Sequence, residues 1–241
     1  MSPQHTQNAT RAYCSRWLLI FSAIFAICFV TVSACYELAN ADVLYKESIW
    51  LDLLYVTRQI CPTLFFSTLF GFLLYGIYHL SGKELILLFL AALEGLVLLA
   101  LINLLFSILL NAASNPSEML LLAGSILLEM LFEVLFLTVF CLICYLVLRP
   151  VKARGATCIS YSSPISFRNP IQVCALIGAA TVFLPTLLDD ISFDILYGAP
   201  TDLGGWLGLL LYYFIDTLVC LALPYTVMLL ICKKADAAFQ E

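Results

Sequence analysis

EMLLLAGSILLEMLFEVLFLTVFCLICYLVL, residues 118–148, decides the fold. The run exceeds the ~20 mainly apolar residues that a helix needs to cross a bilayer. In lipid only a helix or a closed barrel satisfies every backbone polar group, and the run is far longer than a barrel strand. Inside it, ILLEMLFEVLF (126–136) sets Glu129 and Glu133 one helical turn apart on a single stripe. A spanning helix with two carboxylates on one face has to put them against something other than lipid.

The rest of the chain has the same character. Of 241 residues, 63% are hydrophobic and 11% are charged, and the mean hydropathy is +1.03. Soluble domains sit nearer half apolar and a quarter charged, so lipid must cover a large share of this surface. Runs of spanning length lie at about 17–35, 59–80, 84–110, 118–148, 171–188 and 206–232. The sequence therefore predicts an all-α, polytopic integral membrane protein: a six-transmembrane-helix bundle in the lipid bilayer, with tails at 1–16 and 233–241. Segment 43–58, VLYKESIWLDLLYVTR, has apolar residues at near-helical spacing with charges between them. It is expected as an amphipathic helix on the outer surface, joining span two near Pro62. Pro62, Pro185 and Pro224 fall within or at the edge of spans two, five and six, where each removes a backbone hydrogen bond.

The basic residues set the expected orientation. Arg11, Arg16, Lys83, Arg149, Lys152, Arg154, Arg168, Lys233 and Lys234 fall on one side if both termini share it, leaving only Lys46 and Arg58 on the other. The positive-inside rule then makes both termini cytoplasmic. The opposite loops are acidic, with Glu37, Asp42, Glu47 and Asp52 in one and Asp189, Asp190, Asp194 and Asp202 in the other. The expected compartment is the plasma (inner) membrane of a bacterial-type cell. A net charge of −5 with few, scattered basic residues leaves no footprint for nucleic acid.

Five polar side chains interrupt the apolar runs: Glu94 and Asn103 in span three, Glu129 and Glu133 in span four, and Asp216 in span six, with Tyr212 one turn before it. Measured from the midpoints of the runs at ~1.5 Å per residue, Glu133 is near mid-membrane. On that ruler Glu129 is ~6 Å and Asp216 ~4–5 Å toward the outside, and Glu94 ~4–5 Å toward the inside. Spans three and four are expected to be antiparallel neighbours. Glu94 and Asn103 are nine residues apart, about half a revolution, so they cannot both face span four. An ionised acid at a helix centre costs ~2.5–3.5 kcal/mol, and two at i,i+4 repel. No Lys, Arg or His lies in the central part of any span, and Arg58 is the nearest counter-charge by depth. The pair is therefore expected to hold a proton, or to share a proton or cation.

Catalytic signatures are missing. The spacing Glu-x-x-x-Glu loosely resembles intramembrane prenyl-protein proteases, but those need adjacent glutamates, an Arg and later His residues, and this chain has only His5 and His79. No zinc helix, nucleophile elbow, P-loop, dinucleotide fingerprint or haem motif is present. No catalytic, cofactor or metal residues are expected, and an intramembrane hydrolase has no motif to rest on. Cys141 and Cys144 form a CxxC without a partnering His or second pair, which reads as packing. Val32-Ser33-Ala34-Cys35 has the form of a lipobox, but it is short and degenerate and reads as part of span one.

In length, span count and orientation the plan is similar to permease subunits of ABC transporters and to the small capture subunits of vitamin uptake systems. No motif is shared, so the similarity identifies no family. The expected function is a membrane transport protein or permease subunit whose acidic cluster binds a proton, a cation or a small cationic substrate, with an ATPase or other membrane subunit as partner. The alternative is a non-transporting scaffold or accessory subunit whose acids join helices at ~0.6 kcal/mol each or bind a partner. A tag on either terminus should become reachable by antibody only after cells are permeabilised; labelling of intact cells would reverse the orientation.

Overall fold

The computed structural model describes residues 3–41, 49–110, 116–153, 169–197 and 203–240; within them, side chains at 37–41 and 184–197 and those of Tyr212 and Asp216, among others, lie outside the description. Six α-helices run through the described residues: α1 (Pro3–Ala41), α2 (Ile49–His79), α3 (Lys83–Leu110), α4 (Pro116–Ala153), α5 (Pro170–Tyr197) and α6 (Leu203–Gln240). Among those residues there is no strand. Among the described residues, four helices are long and apolar enough to cross a membrane, over His5–Tyr36, Val56–His79, Lys83–Phe106 and Ala123–Lys152. The described part of α5 contributes a shorter apolar helix, Pro170–Phe183.

Helix α2 is the hub. It packs against each of the other five helices, and every residue from Ser67 to Ile77 is buried. Eleven consecutive residues make three turns, so this segment is enclosed on all sides, as its composition requires: STLFGFLLYGI has no polar face to offer. Within it, the Ser67 hydroxyl donates to the Thr63 carbonyl one turn back. Helix α1 packs on α2 and α3, and α6 packs on α2 and α5. Phe70 of α2 stacks on Phe140 of α4 at 4.3 Å between ring centres.

One end of the bundle is tied by polar contacts. Arg11 and Glu84 form an ion pair at 3.0 Å. Gln7 donates to the Ser81 hydroxyl at 3.2 Å, and Lys152 donates to the Leu80 carbonyl at 3.0 Å. His79 lies 4.0 Å from Asp236, and the rings of Tyr13 and Phe239 meet edge to face at 5.3 Å. These contacts bring together the first turns of α1 and α3 and the last turns of α2, α4 and α6. The α2–α3 reversal needs only Leu80, Ser81 and Gly82, and Gly82 supplies the left-handed backbone, with φ of 55°.

Of the expected amphipathic segment 43–58, residues 43–48 lie outside the described residues, and from Ile49 onward α2 runs through Pro62 without interruption. Losing one amide donor does not end a helix that neighbouring helices enclose. Within the expected tails at 1–16 and 233–241, the described residues are helical. Helix α1 starts at Pro3 and α6 runs to Gln240, with Thr10, Cys14 and Ala235 buried around the α2–α3 turn.

The α1–α3 crossing depends on a residue without a side chain. A Cβ on Gly95 would sit 2.5 Å from Ser22 Oγ and 3.3 Å from Ser22 Cβ. Small residues let helices in lipid approach this closely. Gly95→Ala should therefore destabilise the protein by ~1–3 kcal/mol, the usual cost of overpacking. In a Ser22→Ala background the same change should cost much less; equal thermal-unfolding losses in both backgrounds would dissociate the two positions.

Candidate functional site

Helix α4 presents one continuous inward stripe, Ile126, Met130, Glu133, Leu137, Phe140, Cys144 and Leu148, at helical spacing. Its lower half is apolar and closes fully: Leu137, Phe140, Cys144 and Leu148 are no more than 1% exposed. Where the stripe turns acidic, a cleft of about 70 Å³ opens beside the helix. Glu129, Glu133, Ile126 and Met130 form the α4 wall. Phe25 and Phe29 come from α1, Cys61, Pro62, Phe65 and Phe66 from α2, and Leu99, Ala100 and Asn103 from α3. The space holds a few waters, and it has polar groups to receive them.

Asn103, Glu129 and Glu133 thus share one cleft. Glu133 is partly buried, and Glu129 is exposed at its rim. Leu127, Leu128, Leu131 and Phe132, on the outer surface of the same turns, are all more than half exposed and face where lipid would lie. No hydrogen bond or ion pair among the described residues occupies Glu129, Glu133 or Asn103.

The other expected site residues are placed elsewhere. Glu94 is exposed, on the lipid-side stripe of α3 with Ile86, Leu90, Val97 and Leu101, and does not reach the cleft. Nine residues separate it from Asn103, and the helix turns the two to opposite sides. Arg58 lies with its guanidinium over the Tyr36 ring, 5.2 Å from its centre. The side chains of Asp216 and Tyr212 lie outside the described residues; their helix packs on α2 and α5.

A second depth ruler starts from the basic residues. Basic residues mark the polar end, and counting from them at ~1.5 Å per residue puts Glu133 ~24 Å from Arg149 and Glu129 ~30 Å from it. Asn103 lies ~30 Å from Lys83, and Glu94 ~16 Å. On a hydrocarbon core of ~30 Å that starts at those basic residues, Glu129 and Asn103 would stand near the far edge and Glu94 closest to the middle.

Sequence reasoning found the polar members of the cleft and missed its walls. Phe25, Phe29, Phe65 and Phe66 look like ordinary lipid-facing or core residues in a chain with 17 phenylalanines. Only the packing of four helices selects these four. Compared with protein-family models, curated proteins and solved structures, the chain matches none.

Proposed function

We propose that the chain is a multi-pass membrane transport protein, or the permease subunit of one, in which the α4 cleft binds a proton or cation. The observation that carries this reading is that Glu129, Glu133 and Asn103, from two helices, converge on one cleft with no partner of their own among the described residues. Buried acids in membrane helices commonly mark ion or substrate paths. The six-span plan, cytoplasmic termini and bacterial-type plasma membrane belong to the same proposal. The depth of the cleft adds a direction: its exposed carboxyl, Glu129, stands toward the end away from the basic residues, so the cleft is reached from the acidic-loop side.

Glu-to-Gln exchange tests the reading because Gln keeps hydrogen bonding but cannot titrate. In protein reconstituted into vesicles, Glu129→Gln with Glu133→Gln should reduce cation- or proton-driven flux at least ~10-fold, the factor for ~1.4 kcal/mol. Thermal stability should hold within ~1 kcal/mol, since interhelical hydrogen bonds are retained. Full flux in the double variant sinks the proposal.

A second reading, a scaffold or accessory subunit, is favoured by one specific observation. Glu94 sits in an otherwise apolar exposed stripe, where an ionised acid costs ~2.5–3.5 kcal/mol. A basic residue on a partner's membrane helix would relieve that cost. On this reading Glu94→Leu leaves the isolated chain as stable or more stable, and it removes any membrane subunit that co-purifies with the unaltered chain. Clear destabilisation of the isolated Glu94→Leu protein would place the role of Glu94 inside the bundle instead.

A further inference from the structure

The geometry points to an organic cation, an ammonium group on an apolar body, as the occupant of the α4 cleft; this rests on the cation-binding reading above and narrows it. The argument begins with what the walls lack. A hard metal cation such as Ca²⁺ requires six to eight oxygens, and Mg²⁺ a near-ideal octahedron. The cleft has two carboxylates and one amide, and no group of three His, Cys, Asp or Glu among the described residues is arranged to hold a metal.

The walls do offer aromatic rings. Phe25 meets Phe65 at 6.5 Å with 83° between the planes, and Phe65 meets Phe66 at 5.2 Å and 82°. Phe25, Phe65 and Phe66 thus border the space as a set of mutually edge-on neighbours, and Phe29 adds a fourth ring to the lining. A ring face attracts a cation by ~0.5–2 kcal/mol, more as water is removed, and quaternary ammonium groups are recognised in this way. Glu133 and Glu129 on the facing wall supply the counter-charge. A strongly hydrated inorganic ion would give up its water to apolar walls for little return, whereas an alkylammonium brings apolar surface that those walls cover.

The test uses choline and its uncharged carbon isostere, 3,3-dimethylbutan-1-ol, as probes of charge at constant shape, on full-length protein in nanodiscs. Sodium is the inorganic competitor, and equilibrium dialysis is the readout. Choline should bind at least ~10-fold more tightly than the isostere, without displacement by sodium. Glu133→Gln should abolish the preference. Phe25→Leu and Phe66→Leu, which keep apolar bulk but remove ring faces, should each weaken choline binding ~2–30-fold, the range of one cation–π contact. Monodisperse elution of each variant checks the fold, and Glu129→Gln serves if Glu133→Gln fails that check. Equal binding of the two probes, or an unchanged affinity in both Phe variants, overturns the organic-cation inference. If choline does not bind but sodium or proton exchange depends on Glu129 and Glu133, this inference fails and the broader cation reading survives. If no cation response depends on either acid, both fail.

Discussion

The enclosure of α2 is the constraint on which the rest of the structure depends. From Ser67 to Ile77 the helix is apolar or small on every side, and the five other helices exist in contact with it. In lipid there is no hydrophobic gain in hiding such a helix, because acyl chains are as apolar as leucine. Its burial rests on close packing, with ring stacking such as Phe70 on Phe140 and small residues at crossings. The polar ties at one end, Arg11 with Glu84, Lys152 with the Leu80 carbonyl and Gln7 with Ser81, then set the register of helices already gathered around α2.

The cleft is a consequence of the same packing. Helix α4 touches α2 along its lower stripe, where Leu137, Phe140, Cys144 and Leu148 fit without exposed surface. Continuing that fit upward would press Glu129 and Glu133 against Phe65 and Phe66, leaving carboxyls desolvated without donors, at a cost of several kcal/mol for a charged group. A gap with room for water or a cation costs less. The acidic pair therefore both interrupts the core and lines the space that results.

Much of this was legible beforehand. The run 118–148 announces a spanning helix by length and composition, and Glu129 and Glu133 announce themselves by cost. The nine-residue spacing that sends Glu94 away from Asn103 follows from 3.6 residues per turn. The helical tails and the uninterrupted passage through Pro62 were not legible, because each depends on what neighbouring helices cover. Thr10, Cys14 and Ala235 give no local sign that they will be buried.

The sequence by itself determined that the chain is helical, that several helices suit a bilayer, and which polar residues would be expensive there. These are properties of composition and period, which each helix carries alone. Only the tertiary structure decided that Asn103, Glu129 and Glu133 share a space, that Glu94 faces outward and that Arg58 lies over Tyr36. It also chose four phenylalanines among 17 as the walls. The physical reason is that a helix fixes the angles between its own side chains, while the neighbour each side chain meets depends on how α1, α3 and α4 rotate and tilt around α2.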